Sequence, residues 1–246
     1  MKCVLSAAAI VVIFSAMAHA EAQEAKSDVA ISWQKGVAYV PGKFFTTSPP
    51  EIKTNKPYPV VLYMHGCNGI GPTDRRWGPF LKGLGFIVVQ PDSFARDRPK
   101  SCDPATHTGG LFPGVYKMRI EEVDYAREQI AKSAWADQKN IFLMGHSEGG
   151  ITVSLITRAD FRGVVISAWH CGSRTGLRTA VGIPVLAIDH SNDPWFPGVA
   201  GGGCGKLFGD RPHSKMITLP GRDHDTFEFP AQKGLETFLK DLVSNP

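Results

Sequence analysis

The stretch FLMGHSEGGI, Phe142–Ile151, decides how the rest of the chain is read. Four apolar or near-apolar residues enter it, one serine stands between glycines, and a second apolar run follows. Gly145-His146-Ser147-Glu148-Gly149 has the form Gly-x-Ser-x-Gly in the context that gives the form meaning: a strand, a sharp turn, then a helix. A serine in such a turn has a strained backbone, and glycines at both ends permit the turn and expose the hydroxyl above the sheet. The helix beginning beneath it favours a developing negative charge. The alternative is a tight strand-to-helix turn with an incidental serine.

A serine hydroxyl is a weak nucleophile, so it needs a base, and the base needs an orienting acid. In this chain order the acid and then the histidine follow the serine, each just beyond a strand. Pro184-Val-Leu-Ala-Ile-Asp-His-Ser-Asn-Asp-Pro-Trp supplies two acids. Asp193 lies in the loop and can turn back over the sheet edge; Asp189, at the strand end, competes with it. Asp before Pro is also a common turn residue. His224 follows a strand and a Gly turn and precedes the last helix, so it is the candidate base, against the usual fate of a lone histidine on a surface loop. Asp223 and Asp225 read as solvated turn acids. Acyl transfer also needs two donors aimed at the oxyanion. The Glu148 backbone N–H is one by position. The loop His65-Gly66-Cys67-Asn68-Gly69 supplies the other, from Cys67 N–H in the first instance and Asn68 in the second. The Glu148 side chain reads as an acid placed in a first helical turn, where the dipole favours it.

Outward from this site the chain alternates apolar strands with helical segments. Strands are expected at Gly36–Val40, Pro59–Met64, Gly85–Pro91, Asn140–Met144, Gly163–Ser167, Pro184–Ile188 and Lys215–Leu219. Helices are expected at Arg75–Leu84, at Met118–Ala134 with Ile120, Val123, Ala126 and Ile130 at helical spacing, at Gly149–Arg158, and at the C-terminal end. This order predicts an α/β protein with a mostly parallel sheet covered on both faces. Asp92–Lys117 reads as one long loop of the kind that is functional or disordered. The stretch between Ser167 and Pro184 looks short of a full helix. At 246 residues and 43 % apolar the chain suits one large domain, here residues 36–246. Residues 21–35 read as a loose leader.

Residues 1–20 have another character. Lys2 is followed by an uncharged apolar stretch, Val4–Ala18, and Ala18-His19-Ala20 is a small-x-small cleavage pattern. This is the form of a secretory signal, too short to span a bilayer. It places the mature chain in a secreted or periplasmic setting, with no membrane span after cleavage. Four cysteines remain, Cys67, Cys102, Cys171 and Cys204, which suits two disulfides with three possible pairings. Loss of Lys2 leaves a net charge of about +3, too mild to imply a nucleic-acid partner. His107 and His213 lack metal-ligand spacing and are assigned no role; no metal site is expected.

The residues quoted so far resemble the α/β-hydrolase superfamily, and within it the dienelactone-hydrolase-like group. The carriers are Tyr63–Gly69, Ile141–Gly150, Pro184–Asp193 and Gly221–His224. The resemblance implies the α/β-hydrolase fold, a Ser–His–Asp triad of Ser147, His224 and Asp193, and no cofactor. One departure is plain: dienelactone hydrolases proper use a cysteine nucleophile, and this chain has Ser147, so dienelactone itself is a poor substrate guess. The superfamily's strand order further implies the disulfides Cys67–Cys102 and Cys171–Cys204, the first pinning the long loop against the oxyanion loop. Trp169, His170 and Trp195 fall at the active-site edge, where they either meet an acyl chain or aromatic ring or serve as packing. The reading is an exported serine hydrolase acting on a small-molecule carboxylic ester, its oligomeric state left open. Its rivals are a peptidase or amidase with the same triad, and a non-catalytic binding protein on the same fold.

Overall fold

The computed structural model describes residues 28–110, 112–172, 175–199 and 201–244. The expected signal segment 1–20 lies outside the described residues. Strands β1 (Val37–Tyr39), β2 (Tyr58–Met64), β3 (Ile87–Gln90), β6 (Ala136–His146), β7 (Gly163–Ser167), β8 (Val185–His190) and β9 (Lys215–Leu219) form one sheet in the order β1-β3-β2-β6-β7-β8-β9. β1 runs antiparallel to β3 and the remaining neighbours pair in parallel. A separate hairpin, β4 (Cys102–Asp103) and β5 (Thr108–Gly109), stands in the long loop.

Helices cover both faces of the sheet. They are α1 (residues 28–34), α2 (Pro72–Gly83), α3 (Pro113–Ala131), α4 (Glu148–Leu155) and α5 (Phe229–Ser244). Because strand side chains alternate, β2 sends Val60, Leu62 and Met64 to one core and Val61 and Tyr63 to the other. β6 divides Ile141 and Leu143 from Phe142 and Met144 in the same way. The first core takes Trp33 from α1 and Tyr116, Val123, Ala126 and Ile130 from α3. The second takes Trp77 and Leu81 from α2 and Leu235, Phe238 and Leu239 from α5. Strands buried on both faces must be apolar throughout, which is why they are plain in the sequence.

Three expectations are corrected. Residues 28–35 are not a loose leader: they form α1 and its exit turn, Trp33 is buried in the core, and Ser32 O accepts from Asp92 N at 2.9 Å. The long loop ends earlier than Lys117, because Pro113 opens α3; proline suits a first turn, where its missing N–H is no loss. β6 begins at Ala136, before the apolar run. No helix is described between β7 and β8, and no described helix is long and apolar enough to cross a membrane.

Candidate active site

β6 ends at His146, and α4 begins at Glu148 with Ser147 as its N-cap. Ser147 has φ 56° and ψ −117°, a left-handed setting that costs a non-glycine residue about 1–3 kcal/mol. The glycines around it do not have positive φ. A Cβ on Gly145 would strike the carbonyl of Gly149, one on Gly149 the carbonyl of Met64, and one on Gly150 that of Ser167. The glycines therefore let three backbones close on the turn, while the serine itself carries the strained dihedral. Ser147 N donates to Ser167 O at 2.9 Å and Ser147 O accepts from Ile151 N at 2.9 Å, which fixes the elbow between β7 and α4.

The structure brings two of the three expected side chains together. His224 Nδ1 lies 2.6 Å from Asp193 Oδ2, and Asp193 Oδ1 accepts from Trp195 N at 2.9 Å. Asp189 turns elsewhere: its Oδ2 accepts from Gly202 N at 2.7 Å, and burial raises its carboxyl above the usual range. Of the two acids, Asp193 is thus the one that meets the imidazole. His224 Nε2 is buried and has no hydrogen-bond partner among the described residues, Ser147 Oγ included. The His224 ring sits against the residue before the serine, 5.1 Å between its centroid and that of His146, and 5.2 Å from the Trp195 ring.

Beneath His224, His146 Nδ1 lies 3.1 Å from Ser167 Oγ, which lies 2.6 Å from Thr226 Oγ1. Burial first, then the neighbouring His224, holds the His146 imidazole well below its usual range, so it is neutral. Asp225 is not the solvated acid expected: it pairs with Arg76 and accepts from Thr73 Oγ1 at 2.8 Å, tying the histidine loop to α2. Asp223 is exposed and accepts from His224 N at 2.7 Å.

The other side of Ser147 is built on charge. Arg98 Nη1 and Nη2 donate to Glu148 Oε1 and Oε2 at 2.9 and 3.0 Å, and both side chains are buried. Ser101 Oγ also donates to Glu148 Oε2, and Arg119 Nε stands 3.8 Å from Oε1. Burial alone would raise the Glu148 carboxyl; Arg119, Arg98 and Ser101 together hold it below the usual range. The side chain taken from sequence for a simple first-turn acid is thus the centre of an ion-pair network. Arg119 continues the network to the loop after β2. Its Nη2 donates to His65 O at 2.8 Å, and its Nη1 lies 3.0 Å from His65 Nε2. His65 Nε2 also accepts from Ser93 N at 3.0 Å, which leaves Nδ1–H to donate to Gly66 O at 2.7 Å. Burial, then Arg119, holds His65 well below its usual range and neutral.

The loop so fastened runs against Ser147: a Cβ on Gly66 would lie 3.5 Å from Ser147 Cβ. Cys67 and Glu148 both line the cavity that holds Ser147, a space of about 310 Å³ walled by Tyr116, Trp169, Trp195 and Phe196. His170 lines it too, with burial lowering its imidazole pKa. Disulfide Cys67–Cys102 joins two residues of the lining, and Cys171–Cys204 fastens the chain between the lining residues His170 and Gly172. Asn68, the second-choice donor, is not among the lining residues. Among the described residues no group of three His, Cys, Asp or Glu is placed to hold a metal ion.

Arg98, Ser101, Tyr116, Arg119 and Phe196 were not singled out in the sequence. Arg119 left a signal: with Glu122 it falls on the buried stripe of α3 between Val115 and Val123, where a charge must find a partner. Arg98 left none, because its partner is 50 residues away.

No protein-family model matches the chain, and no curated protein matches it. Solved structures do. TT1662 from Thermus thermophilus aligns at 17 % identity over 88 % of this chain and 96 % of its own, with a TM-score of 0.62. Est1E from Butyrivibrio proteoclasticus, in a structure holding ferulic acid, aligns at 13 % identity over 86 % of this chain and 96 % of its own, with a TM-score of 0.60. A Klebsiella pneumoniae protein provisionally named a dienelactone hydrolase aligns at 14 % identity over 78 % of this chain and 89 % of its own, with a TM-score of 0.53. At these identities the likeness is one of fold, and it is the α/β-hydrolase fold.

Proposed function

We propose that this α/β-hydrolase-fold chain is an exported serine hydrolase that cleaves a carboxylic ester through an acyl-enzyme. The observation that carries the proposal is the 2.6 Å pair between His224 Nδ1 and Asp193 Oδ2 beside the cavity lined by Ser147. Ser147 Oγ attacks the ester carbonyl while His224 Nε2 takes its proton. Asp193 holds the Nδ1–H tautomer and stabilises the imidazolium that forms. The Cys67 and Glu148 amides donate to the oxyanion, and His224 then passes the proton to the leaving alcohol. Water, activated by the same imidazole, releases the acid.

Rotation of Ser147 Oγ or a small shift of the His224 loop completes the relay, and an orphaned buried Nε2 is the atom such a shift would satisfy. Two disulfides support the exported setting. The four aromatic rings around the cavity suit an acid component that is itself aromatic, a reading supported by the ferulic acid held in the similarly folded Est1E.

Hydrolysis of paired p-nitrophenyl esters and p-nitroanilides, with benzoyl and hexanoyl acids on each, tests the reading. It expects turnover of the esters, benzoyl preferred, and little of the anilides. Faster anilide than ester cleavage would make the chain an amidase. Absence of turnover on every substrate by the folded protein would make it a binding protein on a hydrolase fold.

A further inference from the structure

The loop that leaves β1 carries two large apolar side chains with no role in the core: Phe44 is 90 % exposed and Phe45 81 %. Their rings meet edge to face at 5.0 Å, so they form one apolar knob. Isolated exposed apolar residues are unremarkable, but two adjacent aromatics at a loop tip point to a partner. The surroundings are cationic. Lys43 and Lys53 line the same surface depression as the two rings, and Lys82 from the end of α2 reaches in to donate from Nζ to Lys43 O at 3.1 Å. The one acid lining the depression, Glu51, has its carboxylate engaged by Ser48 Oγ at 2.7 Å and Thr47 Oγ1 at 3.2 Å. Lys56, exposed just before β2, belongs to the same sheet edge.

Topology sets the orientation. β1 is antiparallel to β3, with Tyr39 opposite Val88, so its C-terminal end lies at the N-terminal edge of the parallel strands. The cavity with Ser147, Trp169 and Asp193 nearby lies beyond their C-terminal ends. The knob and the cavity are on opposite edges of the molecule.

We propose that the Phe44–Phe45 loop with Lys43, Lys53 and Lys82 is a docking surface for an anionic phospholipid bilayer. The rings enter the interface between headgroups and acyl chains, and the ammonium groups meet lipid phosphates. A surface of aromatic tips ringed by lysines is complementary to that boundary in both polarity and charge, whereas a protein partner would have to desolvate the lysines. The cavity then faces away from the lipid, toward soluble substrate. The inference is independent of the hydrolase chemistry.

Co-sedimentation of the purified protein with sucrose-loaded vesicles tests it, using phosphatidylcholine alone and phosphatidylcholine mixed with phosphatidylglycerol. The wild type is expected to sediment with the mixed vesicles and much less with the neutral ones. Phe44→Ser/Phe45→Ser and Lys43→Glu/Lys53→Glu are each expected to weaken binding by roughly 10-fold or more. The wild type and both variants share one N-terminus, so a difference between them reports on the loop. Unchanged thermal unfolding would show that the exposed substitutions leave the fold intact. Equal sedimentation of wild type and variants, binding that ignores lipid charge, or no binding at all would overturn the proposal. A dimer in solution that the Phe double variant abolishes, without vesicle binding, would assign the surface to a second copy of the chain instead.

Discussion

Two buried carboxylates, Glu148 in the wall of the Ser147 cavity and Asp193 behind Trp169, His170 and Phe196 of that wall, are held in opposite ways. Glu148 receives both arms of Arg98, the hydroxyl of Ser101 and the field of Arg119. Asp193 receives a backbone amide and a single imidazole. The first is a charge locked by permanent cations, in which nothing can exchange a proton near neutral pH. The second is joined to an imidazole, a side chain with one donor and one acceptor nitrogen when neutral. On the proposed reading the contrast divides the work: the Glu148 side would fix the amide donors for the oxyanion, and the His224–Asp193 side would move the proton. The proposed acyl transfer needs both fixed donors and a group that can carry a proton beside the serine.

The largest effect belongs to the serine that joins the halves. Ser147→Ala is expected to lower kcat by a factor on the order of 10⁴ to 10⁶ with the fold retained. Steady-state turnover and circular dichroism together check this, and residual activity near wild type would place the nucleophile elsewhere.

On the His224–Asp193 side, Asp193→Asn is expected to cost roughly 10⁴ in kcat through the wrong imidazole tautomer. Asp189→Asn, by contrast, should change kcat less than about 10-fold, since Asp189 binds Gly202 N and not His224. Similar losses in both would erase the distinction between the two acids.

The rigid side should respond through stability as well as rate. Arg98→Met leaves Glu148 buried with less compensation, a destabilisation of about 3–5 kcal/mol, or roughly 6–20 °C in Tm. Removing Glu148 as well should recover part of that loss. A double variant no better than Arg98→Met alone would show that the two residues do not act as a pair. The Glu148 carboxyl is held low in the folded chain, so its contribution is present above the usual carboxylate range and disappears as pH falls through the lowered value.

A smaller effect is expected away from both halves. Asp74 is buried, and burial raises its carboxyl from 3.8 to about 6. The unfolded chain therefore ionises first as pH rises, and stability falls between those two values and stays lowered above about 6. Asp74→Asn should raise Tm by roughly 5 °C at about pH 8 and hardly at all at about pH 4. A gain independent of pH, read by calorimetry, would remove burial of the charge as its cause.

The same contrast explains what could be read from the sequence. The His224–Asp193 side is legible because its parts sit at the ends of apolar strands, and strands buried on both faces announce themselves. Gly145, Gly149, Asp193 and His224 all take their meaning from such strand ends. The residues alone leave three disulfide pairings open, and the resemblance to the superfamily implies the pair that forms. The rigid side was hidden. Arg98 lies in a loop with no periodicity, and its meeting with Glu148 depends on a tertiary path that no local pattern encodes. The Glu148 side chain was misread for that reason, and Asp225 likewise, since its partner Arg76 is distant in sequence. α1 was missed because a short segment with two buried apolar residues, Val29 and Trp33, gives little periodic signal before it is docked.

The most direct test is the site and rate of labelling by a fluorophosphonate, mapped by mass spectrometry. The account expects one adduct, on Ser147, formed far more slowly in His224→Ala and Asp193→Asn and at the wild-type rate in Asp189→Asn. Failure of the folded protein to label at Ser147, or a labelling rate indifferent to His224, would contradict it.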